Sequence, residues 1–74
     1  MKPNPDNRKL VGAEILLETL WPDATERPSV RWLREQQKRR TLPFVKLGHF
    51  VFFDPDEVRA AIFSRFTVAA RGVQ

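Results

Sequence analysis

Between residues 12 and 21 the apolar side chains Ala13, Leu16, Leu17 and Leu20 recur at the three-and-four spacing of a helix, and Pro22 ends the run. This pattern predicts a first helix. A polar loop (Pro22, Asp23, Ala24, Thr25, Glu26) leads to a second helical segment, marked by Pro28, favoured in a first turn, and by Ser29, a cap residue. It runs to Lys38 or Arg40. At about 100° per residue, Arg27, Arg31, Arg34, Glu35 and Lys38 fall within about 40° of one line along this segment. Val30, Leu33 and Gln37 fall opposite, so the basic face points away from the core face, and Trp32 sits on the flank as a wedge against neighbouring elements.

The period then changes. Leu42, Pro43, Phe44, Val45, Lys46 and Leu47, a break at Gly48 and His49, and Phe50, Val51, Phe52 and Phe53 form a β-hairpin pattern of aromatic and β-branched residues. Its register is open, because the second strand is apolar at every position. A two-residue turn (Gly48, His49) groups Val45, Leu47, Phe50 and Phe52 on one face. A three-residue loop ending at Phe50 groups Val45, Leu47, Val51 and Phe53 instead, and leaves Phe44, Lys46, Phe50 and Phe52 outward.

Asp54, Pro55, Asp56 and Glu57 open a third helix: a cap, a proline at the first position and a glutamate that reaches back. Val58, Ala61, Ile62 and Phe66 are its expected buried stripe. Residues 1–9, polar and with two prolines, read as a flexible N-terminal arm. Residues 67–74 read as a C-terminal tail and 10–66 as one domain, since 74 residues leave no room for a second. The expected fold is mainly α with a small β-hairpin.

Composition narrows the function classes. No stretch nears the ~18 apolar residues of a membrane span, and Met1, Lys2, Pro3, Asn4 and Pro5 lack the apolar region of a secretory signal. A cytoplasmic protein without membrane attachment is the expectation. The absence of cysteine excludes a disulfide framework and thiolate metal sites. His49 is the single histidine, so no histidine-based triad or multi-histidine metal site is available, and it reads as a solvated turn residue. Helix capping accounts for Asp54, Asp56 and Glu57, which lack the glycine-centred spacing of a calcium loop. Neither enzymatic activity nor a cofactor nor a metal is expected.

The net charge of +4 is concentrated in one segment. Residues 27–46 carry seven basic side chains (Arg27, Arg31, Arg34, Lys38, Arg39, Arg40, Lys46) against Glu35, a local charge of +6, while residues 1–26 net to −2 and the remainder to zero. Such a stripe suits phosphate backbones; on composition alone, a solvated helix face suits it equally.

The order of helix, loop, basic-faced helix, hairpin and helix is that of a winged helix-turn-helix. Within it, Ser29-Val30-Arg31-Trp32, then Leu42-Pro43-Phe44-Val45-Lys46-Leu47-Gly48, then Val51-Phe52-Phe53-Asp54 and Val58 resemble the excisionase/AlpA-type domains, relatives of the MerR DNA-binding head. The resemblance implies sequence-specific binding to double-stranded DNA by a recombination directionality factor or transcriptional regulator of a mobile element or prophage, with an integrase or recombinase as a further partner and homo-oligomers on DNA. It implies that Arg27, Ser29, Arg31, Arg34 and Lys38 belong to the major-groove helix, Arg39 and Arg40 to a basic loop, and Lys46, Gly48 and His49 to the wing. It also favours the three-residue loop, which exposes Phe50 and Phe52 where relatives often carry arginines; these rings are candidates for self-association, DNA contact or core packing. A different class stays open: a protein-interaction module docking on a larger phage or mobile-element protein through its aromatic wing.

Overall fold

The computed structural model describes residues 9–69. Three helices and a two-stranded antiparallel hairpin follow one another as α1 (Ala13–Leu20), a 3₁₀ turn (Ala24–Glu26), α2 (Val30–Arg39), β1 (Val45–Leu47), β2 (Phe50–Phe52) and α3 (Pro55–Phe66). This is the architecture of a winged helix-turn-helix. No helix among the described residues is long and apolar enough to cross a membrane.

Each boundary has a local cause. The Trp21 N–H closes α1 onto the Leu17 carbonyl at 2.9 Å, and Pro22 prevents another turn. Ser29 Oγ accepts from the Trp32 N–H at 3.0 Å, which makes Ser29 the cap of α2 and starts the helix at Val30 rather than at Pro28. Pro28 therefore lies in the extended lead-in, and Arg27 lies off the helix altogether. Asp54 Oδ1 accepts from the Asp56 N–H at 3.0 Å, and Pro55 takes the first position of α3, as the sequence suggests.

The C-terminus of α2 closes tightly. Arg40 has φ 59° and ψ 33°, a left-handed conformation more usual for glycine, while the Arg40 N–H bonds to the Gln37 carbonyl and the Thr41 N–H to the Gln36 carbonyl. Arg39 thus belongs to the last helical turn and Arg40 to its cap, in place of a separate basic loop.

The hairpin adopts the two-residue turn, with Leu47 opposite Phe50, Lys46 opposite Val51 and Val45 opposite Phe52. The three-residue loop favoured by the resemblance would require a left-handed backbone at Phe50, unfavourable for a bulky residue; Gly48 carries the positive φ instead, at 62°. Both rings still face outward. Phe50, 67% exposed, stacks on half-buried Phe52 with centroids 6.2 Å apart, and exposed Val45 and Leu47 share their face. Phe44 and Val51, on the other face, pack against the core.

That core consists of Ala13, Leu16, Leu17, Leu33, Leu42, Phe53 and Val58. Phe53 is fully buried, and its backbone exchanges two hydrogen bonds with Val11, at 2.9 and 2.8 Å, tying the base of the hairpin to the segment preceding α1. Trp32 meets Trp21 edge-to-face at 6.2 Å and Phe66 at 6.4 Å, so it wedges α2 against both other helices. Only Val58 of the expected α3 stripe is fully buried; Ala61 and Ile62 are partly covered, and Phe66 remains 44% exposed because the last turn overhangs the small core. Of the arm and tail, residues 1–8 and 70–74 lie outside the described residues.

Two stability outcomes follow from this packing. Phe53→Ala is expected to cost about 3–5 kcal/mol, a large share of the roughly 4–11 kcal/mol available to a chain of this length, whereas Phe50→Ser should change stability by under about 0.5 kcal/mol in urea denaturation. Arg40→Gly should stabilise by roughly 0.5–1 kcal/mol, since relief of the left-handed penalty exceeds the entropy glycine adds to the unfolded chain; the midpoint of the same denaturation curve measures it.

Candidate nucleic-acid interface

The segment of highest charge forms α2, whose inner side is fixed by Leu33 and Gln36. Gln36, not Gln37, is the inward glutamine: only 7% exposed, its side-chain oxygen lies 2.6 Å from the Thr41 hydroxyl, which donates to it. A polar side chain is tolerated there because its acceptor is satisfied. With Leu33 and Gln36 inward, Arg31, Arg34, Glu35 and Lys38 are all exposed on the outer side. They surround a shallow depression of about 270 Å³ together with Gln37.

Gln37 has a different part from the core position the spacing suggests. Its Oε1 accepts from Arg34 Nη1 at 3.2 Å, one helical turn away, which restrains the guanidinium while leaving its other donors outward. Lys38 and Arg39 stand in the last turn of α2, where the negative end of the helix dipole favours cations. Arg40 follows them, also exposed. Ser29 Oγ is engaged as an acceptor, so its hydroxyl proton is the part left to contact a ligand.

Arg27 is the residue that leaves the set. Its Nε donates to the Trp21 carbonyl at 3.0 Å and its Nη2 to the Pro22 carbonyl at 3.1 Å, so the half-buried side chain turns back to the end of α1. It braces the connection between α1 and α2 instead of extending the basic face. The 3₁₀ turn within that connection is closed by Asp23, whose Oδ1 accepts from the Thr25 hydroxyl at 2.7 Å and from the Thr25 N–H at 2.9 Å. Those two bonds, with a smaller contribution from the Arg27 charge, hold the Asp23 carboxyl below its ordinary value.

On the hairpin, Lys46, Gly48 and His49 are exposed at and beside the turn. Phe50 and Phe52 belong to its apolar outer face, not to the core. Among the described residues no three His, Asp or Glu side chains gather as metal ligands. Sequence reasoning missed two participants. The Arg34–Gln37 bond was accessible from their three-residue spacing; the position of Arg65, exposed in the last turn of α3 and lining the same cleft as Arg40, depends on tertiary packing and left no local signal.

The lowered Asp23 value fixes the sign of a pH effect. A carboxylate favoured by the folded state adds stability that is present above its unfolded value of about 3.9 and is lost as pH falls through the lower folded value. Thr25→Ala should accordingly raise the Asp23 midpoint toward the ordinary carboxylate value in a side-chain NMR titration and shrink that acid-side loss.

Comparison with models of known protein families, with curated proteins and with solved structures finds no match to this chain.

Proposed function

We propose that this protein binds double-stranded DNA sequence-specifically, with α2 in the major groove and the Gly48–His49 hairpin turn against the neighbouring backbone, as an excisionase-like recombination directionality factor or transcriptional regulator of a mobile element or prophage. The observation that supports this reading above all is the two-sidedness of α2: Leu33 and Gln36 are buried on one side while Arg31, Arg34 and Lys38 are exposed on the other, with Arg39 and Arg40 continuing the charge. A helix anchored in this way presents guanidinium groups on a rigid support, as major-groove recognition needs. Arg31 and Arg34 are the base-reading candidates, because an arginine can donate two hydrogen bonds to guanine O6 and N7. Lys38, Arg39, Arg40 and Lys46 are the backbone contacts, with Ser29 and His49 as hydroxyl and imidazole donors to phosphate.

The loss of Arg27 from this face lowers the expected charge count. Neutralising four or five phosphates corresponds to a log–log salt slope of about −4. One helix and one wing bury roughly 600–1,000 Å², the scale of a single module, so specific occupancy calls for more than one copy on the site or for a recombinase beside it.

A second reading is favoured by one observation of its own. The outer face of the hairpin (Val45, Leu47, Phe50, Phe52) is an apolar surface at the edge of a small domain, the kind that docks on a larger protein. A salt-insensitive dimer or hetero-complex that Phe50→Ser abolishes, together with salt-independent failure to retain duplex, would favour it over DNA binding.

Fluorescence anisotropy on a cognate and a random duplex tests the first reading. Arg34→Ala is expected to weaken cognate binding by about 5- to 150-fold and random-duplex binding much less, as loss of about 1–3 kcal/mol of base discrimination requires. Lys46→Ala should weaken both alike. Equal losses by both variants on both duplexes would remove base reading from α2.

A further inference from the structure

Arg40 caps α2 and Arg65 closes α3, yet both line one open cleft of about 400 Å³ together with Thr41, Leu42, Pro43, Phe44 and Ala61. None of these lining residues is acidic. Two exposed guanidinium groups line one cleft with no carboxylate among its lining residues, so the cleft carries positive charge that an anion would offset. Arg40 holds the left-handed conformation that closes α2, a position where glycine is more usual.

The rest of the lining limits what the anion can be. The Thr41 hydroxyl lies 2.6 Å from Gln36 Oε1 and 3.2 Å from the Gln36 carbonyl, so its single proton is committed inward and the guanidinium groups are left to bind the ligand. Pro43, Phe44 and Ala61 add apolar wall, which a bare inorganic ion would leave unfilled and a sugar ring would cover. Arg40 follows Lys38 and Arg39 at the C-terminus of α2, so the cleft lies at the end of the helix that carries the basic side chains.

We infer that the cleft between the α2 cap and the last turn of α3 seats one sugar–phosphate unit of the duplex, its phosphodiester shared by Arg40 and Arg65 and its deoxyribose against Pro43. This rests on the DNA-binding reading and adds to it a contact on α3, an element outside the helix and wing.

The test compares wild type, Arg40→Gly, Arg65→Ala and the double variant on one duplex across a salt series. Arg40→Gly relaxes a strained residue and Arg65→Ala alters an exposed one, so far-UV circular dichroism is expected to be unchanged in all four. The double variant should reduce the magnitude of the salt slope by about 0.9, one phosphate's worth, and should lose less affinity than the product of the two single losses. A reduction of about 1.8 with multiplicative losses assigns two separate phosphates and overturns the shared seat. An unchanged slope, with Arg34→Ala still weakening binding, overturns the seat while the DNA reading stands; failure of the wild type to bind duplex overturns both. Inorganic phosphate at matched ionic strength forms the second arm. No saturable shift of the Phe44 and Ala61 amides is expected, and saturation below about 1 mM would replace the backbone assignment with a free-phosphate site.

Discussion

Phe53 is the point at which the hairpin, the lead-in to α1 and the start of α3 are tied together. Its ring is fully buried among side chains of all three helices, its backbone pairs with Val11 through two hydrogen bonds, and the residue after it, Asp54, caps α3. The hairpin, the segment leading into α1 and the start of α3 therefore take their positions from one point. In a chain this short, with few fully buried side chains, such sharing lets a small core specify several elements at once. The wing is rigid at its base for this reason, and its apolar outer face is a property of the surface and not of loose packing.

A second economy operates in α2. A helix that must offer arginines to solvent has little apolar length to spend inward, and here the inward side holds one leucine, one glutamine and the partly covered Val30, with Trp32 on the flank. Gln36 is admissible because the chain reverses immediately after the helix and returns the Thr41 hydroxyl to it. The left-handed turn at Arg40 makes that reversal. Core satisfaction and cation placement thus depend on the same few residues at the C-terminus of α2.

Much of this was legible in the sequence wherever a local rule had one solution. The spacing of Ala13, Leu16 and Leu17 defines α1, and Ser29 and Asp54 are capping residues in the positions their chemistry suggests. The exposure of Arg31, Arg34 and Lys38 follows from the same helical period. What escaped were choices between near-equal local solutions. β2 is apolar at every position, so alternation could not select a register, and the decision fell to the turn, where Gly48 accepts a positive φ and Phe50 does not. Gln36 and Gln37 are adjacent and chemically identical, and the return of Thr41 decides between them. Arg27 matched the helical phase of the basic face, but Ser29 starts the helix after it and the carbonyls of Trp21 and Pro22 claim its donors.

The edge-to-face contact between Trp21 and Trp32 carries a spectroscopic consequence. These are the two indoles of the chain, and both sit where α1 meets α2. Emission excited at 295 nm consequently watches the packing of α2 against the end of α1 and against Phe66, and is blind to the hairpin, whose rings are phenylalanines. A thermal transition followed in this way reports on the helix packing alone, whereas backbone ellipticity sums over all three helices, so separation of the two curves would show that the helices do not melt as one unit.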